Sequence, residues 1–320
     1  MPEGPEVKLT TDWLNTNYNQ CTITLIEFSS GNEKFKKQLK PLVDILPITI
    51  TMFGCKGKFS YWKIKNIFDT NEQVLFISFM LTGAFLDRNP TTLHVHYGDT
   101  KKLPATDHIK FFGTRQNGSD FEFYFNDSRQ FGKFELKTLN DLDTKLNELG
   151  PDILNIGTDS NESDFDKFYQ AASGKKIPIV NTILDQKIIA GVGNYLRAEA
   201  LYIANIDPFQ SSCKLTKDEF KKLFYTIKNV AKIFYEKGKN ENKIISESEK
   251  KLNLRVSDLI DLGNGKIEQS QKGRFTRTEL IKLYSDHRFL VYQQKQTPNG
   301  ETVSVKKLNN RSIYYVNTKN

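Results

Sequence analysis

The pattern of this chain changes character near residue 150, and that change limits what it can fold into. Before it come short runs rich in β-branched and aromatic residues: Thr22–Phe28, Ile48–Met52, Phe59–Ile64, Gln73–Phe79, Thr92–Tyr97, Ile109–Phe112 and Asp120–Asn126. Turn residues bound them, as in Gln116-Asn117-Gly118-Ser119, so each reads as a strand. After it, helical spacing takes over in Asp164–Ala172, Ile177–Leu184, Tyr195–Ile203 and Lys217–Lys237. Strands followed by helices predict a two-domain α+β protein. The first domain, 1–150, is expected to be a β-sandwich or flattened barrel that opens with a helix. A helical domain follows over 164–289, and the polar stretch 151–163 reads as a linker. Lys237–Lys251 and Gly263–Gly273 read as mobile insertions.

At 320 residues the chain has room for two substantial cores. Its 46 Lys and Arg against 38 acids leave a net charge of +8, which favours an anionic polymer such as nucleic acid as partner. Cys21, Cys55 and Cys213 are far apart and form no C-x-x-C pair, so they read as reduced packing residues of an intracellular protein. No apolar run is long enough to span a membrane, and the N-terminus lacks the apolar core of a signal peptide. His94 and His96 would share a strand face, but no third ligand accompanies them; His108 and His287 carry no pattern.

The opening Met1-Pro2-Glu3-Gly4-Pro5-Glu6 carries the strongest chemical signal. Removal of Met1 leaves Pro2 with a secondary amine able to attack an electrophilic carbon and become an iminium. Glu3 sits beside it as a proton donor. Pro5 and Glu6 suit the first turn of a helix that runs on through Val7, Trp13 and Leu14, and Glu6 is expected to position the terminus. The alternative is a frayed end with solvated acids. Farther on, Gly191-Val192-Gly193-Asn194 sets a glycine turn before a helix, where freed amides and Asn194 can grip a phosphate. A simple interhelix turn is the other reading.

These segments resemble, in order and spacing, the formamidopyrimidine-DNA glycosylase and endonuclease VIII family. The resemblance rests on Pro2-Glu3-Gly4-Pro5-Glu6-Val7, Lys56-Gly57-Lys58-Phe59, Leu81-Thr82-Gly83-Ala84-Phe85, Asp127-Ser128-Arg129-Gln130-Phe131-Gly132 and Gly191-Val192-Gly193-Asn194. It spans nearly the whole chain. Asn194-Tyr195-Leu196-Arg197-Ala198-Glu199 is most similar to the endonuclease VIII-like enzymes of eukaryotes and giant viruses.

The resemblance implies a bifunctional DNA glycosylase and abasic-site lyase of base excision repair. It would act on oxidised bases, pyrimidines favoured, in duplex or single-stranded damaged DNA. Pro2 would form the Schiff base and Glu3 would supply protons, with Glu6 alongside; β,δ-elimination would follow. Lys58, expected on a strand, would depress the amine's pKa and hold a phosphate, unless it is an ordinary surface lysine. Leu81, Arg129 and Phe131 would fill the void left by the flipped nucleotide; Phe131 could instead be core. Leu81 stands where many relatives have methionine, and Ser78 where many have histidine. Lys251–Gly273, where a cap for a flipped purine is expected, is too divergent to read.

Relatives often end in a four-cysteine zinc finger, whereas 290–320 has no cysteine. Leu308-Asn309-Asn310-Arg311-Ser312-Ile313-Tyr314-Tyr315 keeps the flavour of the finger's second strand, so a zincless finger is expected, turning at Pro298-Asn299-Gly300 and presenting Arg311 to a phosphate. The resemblance thus implies a helix-two-turn-helix domain, no metal and no cofactor. It also implies a monomer, either nuclear or, if viral, in a cytoplasmic factory or virion. A catalytically silent reader of damage, and a lyase with little base excision, are the competing functions.

Overall fold

A computed structural model describes residues 2–69, 71–86, 108–154, 161–241, 275, 277–286 and 288–317. The expected strand Thr92–Tyr97 with His94 and His96, the Gly263–Gly273 insertion, the Lys251–Gly273 segment and His287 lie outside the described residues. The chain divides into two compact units, Met1–Glu148 with Gly238–Lys251, and Leu149–Lys237 with Leu252–Asn320.

The first unit opens with α1 (Gly4–Tyr18), which Glu3 precedes in extended backbone. Pro5 sits in the first turn, where its missing amide donor costs nothing. Val7, Leu9, Trp13 and Leu14 are buried, and Trp13 meets Tyr18 edge-on at 5.4 Å. Asn15 clamps the helix to β2 (Ile48–Lys56): its Nδ2 donates to the Phe53 carbonyl at 2.8 Å and its Oδ1 accepts from the Phe53 amide at 3.2 Å. From Pro2 on, the opening of the chain is therefore not frayed.

Among the described residues, eight antiparallel strands make one continuous sheet. They are β1 (Thr22–Phe28), β2, β3 (Phe59–Asn66), β4 (Glu72–Ser78), β5 (Ala84–Leu86), β6 (Ile109–Thr114), β7 (Asp120–Asn126) and β8 (Lys133–Lys137), in the order β5-β7-β6-β1-β2-β3-β4-β8. β1 and β2 pair through just Thr22 with Thr49 and Ile23 with Ile48, so the two halves of the sheet can fold over one another. Aromatic rings close the resulting sandwich. Trp62 of β3 lies 5.2 Å from Phe85, 5.4 Å from Phe111 and 5.9 Å from Phe123, all on strands of the other half. Two helices join this layer, α2 (Glu33–Val43), which buries Phe35, Leu39 and Leu42, and α3 (Leu139–Glu148). Thr138 and Asp141 cap α3 reciprocally, and the Thr138 backbone amide holds the Asp141 carboxyl below its ordinary pKa.

The second unit is helical: α4 (Asn161–Ala172), α5 (Ile179–Thr182), α6 (Asn194–Ala204), α7 (Lys217–Glu241, of which the residues from Gly238 on belong to the first unit) and α8 (Arg277–Asp286). In its core Phe168 stacks on Phe224 and meets Phe220 edge-on, and Tyr195, Phe234, Tyr284 and Phe289 form a second aromatic cluster. The stretch expected to be a linker is packed where it is described: Ala190 donates to the Pro151 carbonyl at 2.8 Å and Ile153 to Ala190 at 3.2 Å. Ile153 and Leu154 are buried. A side chain at Gly150 would meet the Ile188 carbonyl carbon at 2.5 Å, so only glycine permits this approach. The helix expected over Ile177–Leu184 shrinks to α5, and α7 extends into the expected 237–251 insertion as far as Glu241.

A two-stranded hairpin, β9 (Val303–Leu308) and β10 (Arg311–Val316), closes the described chain. It turns at Asn309-Asn310, with φ of 48° and 59°, the left-handed pair that a two-residue hairpin needs. The Pro298-Asn299-Gly300 turn, expected to be the hairpin's own, instead brings Gln296 opposite Thr302 just ahead of β9.

Candidate nucleic-acid interface and catalytic terminus

Pro2, Glu3 and Glu6 are all buried. The Glu6 carboxylate accepts the Glu3 amide at 2.8 Å, so its observed work is to fix the chain's direction one residue after Pro2. Lys58 departs from expectation. It occupies the turn between β2 and β3, not a strand, because Gly57 before it takes a φ of +56° that ends the pairing of the two strands. Its side chain is half-buried.

Leu81 lies in the turn after β4, and Arg129 and Phe131 lie in the turn between β7 and β8. These two turns are brought together by residues that sequence reasoning missed. The Thr82 hydroxyl donates to Asp127 Oδ1, and the other Asp127 oxygen accepts the Gly132 amide at 2.6 Å. Asp127 also receives the Arg129 amide at 3.3 Å, and its own amide donates to His108 Nδ1 at 3.0 Å. Gln130, with φ of +51°, reaches back to the Gly31 carbonyl at 3.2 Å and Asn32 Oδ1 at 3.1 Å. The left-handed residue between them splays Arg129 and Phe131 outward. Phe131 is 46% exposed, whereas its neighbour Phe134 is buried, so the core reading of Phe131 fails. His108 is a core residue that accepts a backbone amide.

In the second unit, successive turns after α5 lead into the glycine turn before α6, giving helix, two turns, helix. Gln186 braces this turn from both sides, accepting the Gly191 amide at 2.9 Å and donating to the Val192 carbonyl at 3.0 Å. Gly191 has φ of +113°. Asn194, the first residue of α6, holds its Oδ1 buried with no hydrogen-bond partner among the described residues. From the same helix, Arg197 donates to the Val180 and Ser312 carbonyls, each at 3.3 Å, tying α6 to the hairpin residue next to the exposed Arg311.

Glu199, two residues on, is fully buried and takes four donors. Its Oε2 accepts the Tyr284 hydroxyl at 2.7 Å and the Leu290 amide at 2.9 Å; its Oε1 accepts the Val291 and Tyr292 amides at 2.9 and 2.8 Å. Burial pushes its carboxyl up despite those donors, and the Tyr284 hydroxyl is pushed well above the ordinary phenol value by burial and by Glu199. Ile313, buried on β10, and the edge-on pair Phe209–Tyr315 at 4.9 Å complete the hairpin's seat. Among the described residues no group of three or more His, Cys, Asp or Glu is placed to hold a metal ion, and no helix is long and apolar enough to cross a membrane.

Two family models match the chain: the formamidopyrimidine-DNA glycosylase N-terminal domain over residues 1–134 and the formamidopyrimidine-DNA glycosylase H2TH domain over residues 149–245. The formamidopyrimidine-DNA glycosylase of Rickettsia felis is 31% identical over 231 residues, covering 72% of this chain and 75% of the relative. That of Mycoplasmopsis pulmonis is 28% identical over 241 residues, 73% of this chain and 75% of the relative. Among solved structures, the Lactococcus lactis enzyme, non-covalently bound to DNA containing an AP site, aligns with a TM-score of 0.63 at 19% identity, covering 98% of this chain and 97% of that one. The Thermus thermophilus MutM (Fpg) protein aligns with a TM-score of 0.63 at 18% identity, covering 99% and 98%.

Proposed function

We propose, for a chain that belongs to the formamidopyrimidine-DNA glycosylase family, that it is a bifunctional DNA glycosylase and abasic-site lyase with Pro2 as its nucleophile. One observation carries the reading most: residues 2–6 are buried and the Glu3 amide is held by Glu6, so the terminus has the fixed direction an attacking amine needs. With Met1 removed, the Pro2 nitrogen attacks C1′ of the flipped nucleotide, and the glycosidic bond breaks with its electron pair leaving on the base, which takes up the proton that the Pro2 nitrogen gives up. Glu3 protonates the sugar ring oxygen as the ring opens to the iminium. β,δ-Elimination then cuts the strand, and water releases the enzyme.

Lys58 acts from its turn as the cation beside this amine. Leu81, Arg129 and Phe131 fill the vacated stack, and Asn194 with Arg311 grips phosphate, Arg311 from a zincless finger. The protein works as a monomer on damaged DNA inside the cell, where its three free cysteines stay reduced. The Asn194-Tyr195-Leu196-Arg197-Ala198-Glu199 segment favours the endonuclease VIII-like branch and hence oxidised pyrimidines.

Borohydride reduction in the presence of abasic DNA tests the core of this reading. A covalent protein–DNA adduct is expected, and residues appended before Pro2 should abolish it. Fully active protein that retains Met1 would overturn the proline mechanism.

A further inference from the structure

Each of the two linked turns contains one non-glycine residue in left-handed backbone: Gln130 at φ +51° and Met80 at φ +53°, directly before Leu81. An L side chain in this region is strained, and such outliers persist where the surroundings or a function require them. Gln130 has a reason within the fold, since its amide reaches Gly31 and Asn32 and its carbonyl accepts from Lys34. Met80 has a different character. Its turn closes tightly, the Gly83 amide donating to the Phe79 carbonyl at 2.9 Å, and glycine would satisfy that backbone at no cost. Instead the position carries a long apolar side chain that is 46% exposed.

Backbone strain and exposed apolar surface are both offset if this side chain is buried when the protein binds. The unbranched thioether of methionine conforms to irregular apolar gaps. The turn is tied through Thr82 and Asp127 to the one that projects Phe131, itself 46% exposed, so the two apolar side chains stand on one braced pair of turns. Phe68 is more exposed, at 83%, but among the described residues its turn has neither left-handed backbone nor that tie.

We infer that Met80 inserts beside Leu81 into the base stack of duplex DNA at the lesion, a second apolar wedge on the same turn. This rests on the proposed engagement of DNA by Leu81, Arg129 and Phe131. The wedge acts only when a gap has opened, so it adds affinity for damaged duplex and none for intact duplex.

The test substitutes Met80→Gly, which keeps the left-handed backbone and removes the side chain, and compares binding to a duplex bearing a tetrahydrofuran abasic analogue with binding to the undamaged duplex. Affinity for the tetrahydrofuran duplex should fall by about tenfold while undamaged binding and the unfolding temperature hold or rise. Met80→Asn, polar and tolerant of the same φ, should repeat the loss. If Phe131→Ala lowers the preference for tetrahydrofuran duplex and both Met80 variants leave it unchanged, the wedge is refuted and the DNA reading stands. Wild-type protein with no such preference would remove the underlying reading and the wedge with it.

Discussion

The Thr82 hydroxyl donates to the Asp127 carboxylate across 45 residues of sequence, and so the turn bearing Leu81 is joined to the turn bearing Arg129 and Phe131. Asp127→Asn replaces an acceptor with an amide that must face either Thr82 or the Gly132 amide. Loss of stability of about 1–3 kcal/mol is expected from the unsatisfied donor. Preference for lesion-containing over intact duplex should fall with it, measured by competition binding below the variant's unfolding temperature. Unchanged preference would show that the two turns act separately.

Glu3→Gln keeps the size of the side chain and removes its proton. Base excision should drop by about 10²–10⁴, as for other general acids, while some cleavage of a ready-made abasic site remains. Single-turnover assays on the two substrates decide it, and equal losses would refute the division of labour.

Glu199→Gln turns one of two acceptor oxygens, each holding two donors, into a donor. A loss of about 2–4 kcal/mol is expected, read by calorimetry. The carboxyl also carries a pH signature. Because its folded pKa is raised, its contribution is fully present below the unfolded carboxylate pKa and is lost as pH rises through the raised value. Glu199→Gln should therefore flatten the decline of stability with rising pH in that window.

Arg311→Ala should weaken binding to every DNA sequence alike and flatten the dependence of log K on log salt by about one ion's worth. Asn194→Ala should weaken binding with nearly the same slope as wild type. Fluorescence-anisotropy titrations across a salt series separate the two. An unchanged slope in Arg311→Ala would leave the hairpin with no part in phosphate binding.

Local pattern carried much of this architecture. Thr22–Phe28 and Asp120–Asn126 form strands with the bounds read from alternation and turn residues. α2 lies outside the elements read from the sequence, although Phe35, Leu39 and Leu42 mark a helical stripe; Pro41 and four lysines dilute that pattern over Glu33–Val43. Lys56-Gly57-Lys58-Phe59 has the look of one extended run, which puts Lys58 on a strand; the positive φ of Gly57 makes it a turn. The residues that support the site were harder to see. Asp127, His108, Gln186 and Glu199 act by hydrogen bonds whose partners are set by sheet register or helix packing, and no spacing in the sequence encodes those meetings.

The aromatic cluster of the sandwich also gives the protein a built-in optical reporter. Both tryptophans of the chain, Trp13 and Trp62, are buried in the first unit, and the second has tyrosines and phenylalanines alone for its aromatic core. Tryptophan emission therefore follows melting of the first unit, Trp13 from α1 and Trp62 from β3. A Glu199→Gln protein whose second unit loosens first should lose part of its tyrosine ellipticity while its tryptophan emission still reads native, so the first unit can be watched unfolding without a label.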